Sequence, residues 1–134
     1  MSEIPAPLLA VLRERAKNRC EYCLLPEAYL SLHEPDHIVA IQHHGPTTAE
    51  NLALACFDCN RRKGPNLSSI DPITGRVSVL FHPRRDEWLE HFRLDGAEIV
   101  GLTAKGRATV ELLQFNAPQR VRIRQELQRA GRYP

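Results

Sequence analysis

Glu34-Pro35-Asp36-His37-Ile38, then Gly45, Asn51-Leu52-Ala53-Leu54-Ala55 and Cys56-Phe57-Asp58-Cys59-Asn60-Arg61-Arg62-Lys63-Gly64, is the stretch whose reading decides the fold. A second cysteine pair, Cys20-Glu21-Tyr22-Cys23, stands just upstream. Two kinds of chemistry overlap here. Four thiols suit a soft metal, whereas an Asp, a His and an Asn suit a hard cation and a proton transfer.

The thiols fall into two C-x-x-C pairs, Cys20/Cys23 and Cys56/Cys59, separated by a long insert. That spacing reads as one tetrahedral Zn2+ site, with redox dithiols as the alternative. Cysteine at all four positions leaves no open coordination place, so the zinc is expected to be structural. The insert is too long for a tight ribbon and must be a folded excursion. Zinc binding supplies on the order of 10–16 kcal/mol in small zinc peptides, which would dominate the stability of so small a region.

Working outward, Leu52–Ala55 is a short apolar run. Cys56 to Lys63 fits two turns of helix, closed by Gly64-Pro65. Tyr29 to His33 alternates like a strand, and Pro35 restricts the next residues to an edge strand or a bulge. Strand parity puts Glu34 and Asp36 on one face and Pro35 and His37 on the other. Ile38 to Ile41 continues in β-rich residues, and His43 to Thr48 reads as a loop. Asp36 and Asn60 offer oxygen ligands for Mg2+ or Mn2+. His37, facing the other way, is placed to act as general base on a water, imidazole being the side chain that titrates near neutrality. Asn60 directly follows the last cysteine, so the zinc would fix its position.

On the N-terminal side, residues 5–18 predict a helix with Leu8, Leu9, Val11 and Leu12 as its apolar stripe. On the C-terminal side, residues 66–69 read as loop and Asp71 to Gly75 as a turn. Arg76 to Phe81 alternates like a strand, with Glu98 to Leu102 as its hairpin-like partner. Asp86 is the expected cap of a short helix through Phe92 that carries Trp88. Thr103 caps a helix reaching Phe115, and Pro118 opens a last helix with Val121, Ile123 and Leu127 as its apolar positions.

The 43% hydrophobic and 25% charged residues are those of an ordinary water-soluble domain, and the longest apolar run is too short for a bilayer span. The N-terminus lacks a basic, apolar secretory pattern, so a cytoplasmic protein without membrane contact is expected. A net charge of +2 does not by itself argue for nucleic acid. The distribution says more: most basic residues are arginine, the residue that pairs with phosphate in a bidentate fork, and they cluster at Arg61-Arg62-Lys63, at Arg84-Arg85 and in the last helix. The bland reading is a set of solvated helix faces.

Taken together, Glu34-x-Asp36-His37-Ile38 and Asn51-Leu52-Ala53-Leu54-Ala55-Cys56-x-x-Cys59-Asn60-x-x-Lys63-Gly64 resemble the HNH endonucleases, the ββα-metal or His-Me finger nucleases, and more closely their four-cysteine, zinc-stapled branch. The resemblance covers about residues 17–65. It implies that His37 activates the attacking water, that Asn51 organises the hairpin loop, and that Asp36 and Asn60 bind the divalent ion. Glu34 matches a position that is His or Glu in relatives and implies a supporting role. Three departures stand out. The loop has Gly45-Pro46 where the family often has Gly-Gly, His43-His44 precede it where one His is usual, and Asn60 makes the pattern H-N-N. A softer resemblance to the tail of a bacterial HNH subfamily runs through Leu80–Arg84, Trp88, Gly101–Thr103 and Gly106–Thr109.

The expectation is therefore one α+β domain over residues 1–134: a zinc-stapled ββα-metal core at about 17–65, an N-terminal helix, and a C-terminal strand-and-helix extension over about 66–134. Its expected function is metal-dependent hydrolysis of phosphodiester bonds in DNA, with Arg61, Arg62, Lys63 and Arg84 contacting the DNA. The alternative is a non-catalytic zinc module that binds nucleic acid. Substrate form, preferred ion and oligomeric state stay open.

Overall fold

The structure, a computed structural model, describes residues 4–28 and 31–134. It is a mixed α+β protein with three small antiparallel sheets among the described residues, and the chain divides into two compact units, Met1–Pro65 and Asn66–Pro134. Among the described residues no helix is long and apolar enough to cross a membrane.

The first unit opens with helix α1, Ala6–Ala16, which ends at Lys17 in the left-handed conformation. Its inward face is Leu12, with Leu8 and Leu9 half-buried, whereas Val11, expected in the apolar stripe, is 48% exposed. One turn beyond Leu12 on the same face, Arg15 donates from Nη1 to the Ala49 carbonyl (2.8 Å) and from Nη2 to the Leu52 carbonyl (2.6 Å), tying α1 to the following sheet.

That sheet pairs β1, Glu34–His37, with β2, Leu52–Ala55, in the register Glu34↔Ala55 to His37↔Leu52. All four residues of β2 are buried. Pro35 sits inside β1, as it can in a strand with only one neighbour. The expected strand over Tyr29 to His33 falls partly on residues 29 and 30, outside the described residues. His33 is buried, its Nε2 donating to the Leu25 carbonyl (2.7 Å). The expected continuation of the strand through Ile38–Ile41 does not form. The chain bends at Ile38 and enters a 3-10 turn at Ile41–His43, because the Val39 and Ala40 backbone groups are taken by Asn51 and Gly45 and not by a neighbouring strand. Helix α2, Phe57–Lys63, follows β2 directly and stops at Gly64 with φ +50°.

The second unit differs more from expectation. Residues 68–70, expected as loop, form β3, Ser68–Ile70, which pairs with β4, Val77–Val79, across the Asp71–Gly75 turn. The strand at β6, Glu98–Gly101, pairs instead with β5, Phe92–Asp95. Phe92 therefore starts a strand and does not end the short helix α3, Trp88–His91. Asp86 caps nothing there; it accepts from the His82 backbone N–H (2.9 Å) and pairs with Lys105. Helix α4, Ala104–Leu113, starts as expected at Thr103, whose hydroxyl accepts from the Gly106 N–H (3.0 Å). Phe81, Phe92 and Phe115 form an aromatic core, with half-buried Trp88 tilted against Phe92. A Cβ on Gly106 would stand 2.1 Å from the His91 carbonyl oxygen, so glycine sets how closely α4 approaches.

The last helix α5, Pro118–Arg129, keeps part of the expected pattern, with Val121 and Leu127 half-buried. Ile123 is exposed, while Arg120 and Arg124 are buried. The Arg124 Nε donates to the Ala97 carbonyl and its Nη2 to the Phe115 carbonyl, both at 2.7 Å, and Arg120 donates to Leu113 and Gln114. The carbonyls of Leu113 and Phe115, around the end of α4, accept from the guanidinium groups, and that of Gln114 accepts both from Arg120 and from the Ala117 N–H.

Candidate active site and metal centre

The Cys20–Cys23 turn docks on β2 through a reciprocal pair of hydrogen bonds. The Glu21 N–H donates to the Leu54 carbonyl, and the Leu54 N–H donates to Glu21 Oε2, both at 2.8 Å. Cys56 then caps α2, its sulfur accepting from the Cys59 N–H at 3.4 Å. The result is a buried cluster of Cys20, Cys23, Cys56 and Cys59 whose sulfurs all lie within 4.8 Å of one another, with Cys23 and Cys56 at 3.7 Å. A tetrahedral zinc with bonds of about 2.3 Å holds its sulfurs about 3.8 Å apart, so the cluster is consistent with a zinc site. Burial pushes the Cys20 and Cys59 thiols well above their ordinary range, so thiolates here need a cation beside them.

β1 delivers its side chains as parity requires. Glu34 and Asp36 both meet α2. Glu34 Oε2 accepts from the Asn60 amide nitrogen at 3.0 Å, a bond that does not use the Asn60 amide oxygen. Asp36 is buried, 5% exposed, and meets the Lys63 ammonium at 3.3 Å. Lys63 also donates to the carbonyls of His37 (3.2 Å) and Ile38 (3.1 Å). At 2% exposure it is not the solvent-facing DNA contact expected of it. The physical reason is helical spacing: Lys63 lies three residues after Asn60 and shares its inward face, whereas Arg61 and Arg62 are exposed, Arg61 lying 4.5 Å over the half-exposed Phe57 ring.

Asp36 has one further partner that spacing alone did not reveal. The Tyr22 hydroxyl, inside the first cysteine pair, donates to Asp36 Oδ2 at 2.6 Å. Burial, and then the Asp36 charge, push the Tyr22 phenol well above its usual range, so it keeps its proton and remains the donor. Burial likewise pushes the Asp36 carboxyl up, opposed by the Lys63 charge and the Tyr22 hydrogen bond.

His37 turns the other way, its Nε2 within 2.9 Å of the Thr47 hydroxyl. Asn51, 7% exposed, shapes the loop that carries Thr47. Its Oδ1 accepts from the Val39 N–H (2.9 Å), and its Nδ2 donates to the carbonyls of Val39 (3.0 Å) and Pro46 (2.8 Å). Gly45 lies against the same strand end, where an added Cβ would stand 1.7 Å from the Val39 oxygen. Asp36, His37 and Asn60 line one open cleft of about 330 Å³ together with Pro35, Ala40, Ile41, Gln42, Gly64 and Pro65. Arg84 lies in the second unit, half-buried in the turn at residues 83–85, with its backbone N–H donating to His82 Nδ1.

The residues that sequence reasoning missed are Tyr22, Thr47 and the inward role of Lys63. Only Lys63 had a signal, its i+3 spacing from Asn60.

Among known protein families, the one described as HNH endonuclease matches residues 20–66. The chain is also similar to the Septu protein PtuB of Bacillus thuringiensis, 26% identical over an alignment of 118 residues that covers 82% of this chain and 41% of that protein. The chain thus spans about two fifths of the length of the curated relative it matches. No solved structure matches it.

Proposed function

We propose that the chain hydrolyses phosphodiester bonds in DNA; the match of residues 20–66 to the HNH endonuclease family and the buried four-cysteine cluster support this reading. The observation that carries the proposal is that Asp36, His37 and Asn60 line a single cleft. The donor set there fits a hard divalent ion. Asp36 offers a carboxylate, and Asn60 an amide oxygen that its hydrogen bond to Glu34 does not use. When bound, Mg2+ or Mn2+ would stabilise charge on the phosphate and on the leaving oxygen.

The chain's own residues do the rest. Thr47 holds His37 at Nε2, which leaves Nδ1 to take the proton of the attacking water. Asn51 fixes the loop that carries Thr47. Cys20, Cys23, Cys56 and Cys59 hold a structural Zn2+ that anchors the start of α2, and with it Asn60 and Lys63. Arg61 and Arg62 supply phosphate contacts on the exposed face of α2, with Arg84 as a candidate from the second unit. A cytoplasmic site of action belongs to the same proposal.

The test is nicking of supercoiled plasmid by the purified protein in Mg2+ and in Mn2+, with EDTA and His37→Ala as controls. Cleavage that requires the ion and disappears in the variant is the expected result. Zinc-loaded protein that shifts DNA in a gel but leaves it uncut would instead favour the zinc-containing nucleic-acid-binding module.

A further inference from the structure

Tyr22 belongs to the zinc cluster by sequence and to the cleft by contact. It lies between two thiol ligands, Cys20 and Cys23, is 1% exposed, and its hydroxyl reaches Asp36 Oδ2 at 2.6 Å. We propose that Tyr22 is a positioning residue for the cleft ion: it holds the Asp36 carboxylate in one rotamer by occupying Oδ2, so that Oδ1 is the oxygen presented to the divalent cation. The inference rests on the reading of Asp36 as an ion ligand.

Three observations carry it. The O···O separation is that of a strong, charge-assisted hydrogen bond, which fixes an oxygen in place more firmly than a neutral contact does. The ring cannot drift, because the flanking cysteines belong to one buried cluster and Glu21 clamps the turn to β2 through Leu54. Lys63 meets the same carboxylate from α2, at 3.3 Å from Oδ2 and 3.4 Å from Oδ1, so Asp36 is held from both cysteine-bearing segments at once. Partners of a metal-ligating carboxylate set its orientation, and their loss typically costs about 10–100-fold in metal affinity or activity. The cysteine cluster would then do more than staple the fold. Through one phenol it would set the geometry of a different metal's ligand.

The test is Tyr22→Phe, which removes one oxygen from a buried ring. Mn2+ binding is measured by calorimetry without DNA, beside zinc content and the melting temperature. The expected result is full zinc content, a Kd for Mn2+ raised about tenfold, and a nicking rate restored by saturating Mn2+, whereas His37→Ala stays inactive at any Mn2+ concentration. An unchanged Kd in a zinc-loaded Tyr22→Phe protein overturns the proposal. A second measurement needs no variant. The Tyr22 hydroxyl proton of the wild-type protein is expected as a downfield resonance that moves on addition of Mg2+, and a resonance that does not move overturns the proposal too. A Mn2+ affinity left unchanged by Asp36→Ala would instead remove the ion site itself, and this inference with it.

Discussion

Asn51 and Val39 exchange two hydrogen bonds: the Val39 N–H donates to Asn51 Oδ1 at 2.9 Å, and Asn51 Nδ2 donates back to the Val39 carbonyl at 3.0 Å. A side chain thereby does for residue 39 what a neighbouring strand would do, and the backbone can leave β1 without orphaning its polar groups. Asn51→Ala removes both bonds and the one to Pro46, leaving a Val39 N–H without its partner. The expected cost is about 1–3 kcal/mol, read from urea unfolding. Nicking is expected to fall further than the lost stability explains, because Thr47, which holds His37, rides on that loop. A variant that loses stability but keeps its full rate would detach the loop from the chemistry.

His37→Ala leaves the four cysteines and the Tyr22 and Lys63 contacts of Asp36 in place. It is expected to keep its zinc and its melting temperature while the nicking rate drops by about 10²–10⁴-fold, the usual contribution of a general base. Retained cleavage would take His37 out of the mechanism.

The two ends of Arg61-Arg62-Lys63 are expected to behave oppositely. Replacing Arg61 and Arg62 by Ala should leave stability alone and flatten the salt dependence of DNA binding, by about 0.9 in log–log slope for each phosphate no longer neutralised. Lys63→Ala should instead strand Asp36 as a buried, unpaired charge, at about 3–5 kcal/mol of stability. Gel shifts across a salt series, beside a melt of each variant, separate the two. A Lys63→Ala protein of wild-type stability would contradict the buried pairing.

In the second unit, Asp71 is buried and takes two hydrogen bonds from Arg107, at 2.9 and 2.8 Å. The Arg107 hydrogen bonds hold its carboxyl well below the usual carboxylate range. A carboxyl depressed on folding contributes stability that is present above its unfolded pKa, about 3.9, and is lost as pH falls towards the folded value. Asp71→Asn is therefore expected to be less stable than wild type at pH 7, with the gap closing as pH drops below about 4. Urea midpoints across that range check it, and a gap independent of pH would remove Asp71 from the acid limb.

What was legible in the chain was the part that spacing carries locally. Two C-x-x-C turns, an apolar run ending at the second of them, and a Thr three residues ahead of Gly106 each define a short element without help from distant residues. Strand parity likewise put Glu34 and Asp36 on one face. The features that stayed hidden depend on partners far along the chain. Arg76–Phe81 alternates convincingly, yet nothing in that alternation says whether Ser68–Ile70 or Glu98–Gly101 will lie beside it. Arg120 and Arg124 read as a solvated face because the carbonyls that receive them, at Ala97, Leu113 and Phe115, become available only once the chain has folded around the end of α4. Tyr22 shows the limit most sharply, because an inner residue of a cysteine turn gives no sign of which carboxylate it will reach.

Gly45 carries a consequence for how this chain can change. Every other amino acid adds a Cβ, and at this position that atom would fall 1.7 Å from the Val39 oxygen and 2.9 Å from Asn51 Nδ2. No single codon change therefore offers a tolerated intermediate, however small or polar the new side chain. Gly75 and Gly96 are constrained only by their positive φ, with open space around them, and a residue willing to adopt that conformation could replace either. Variation at residue 45 has to be preceded by a rebuilt backbone at Val39, two residues after His37.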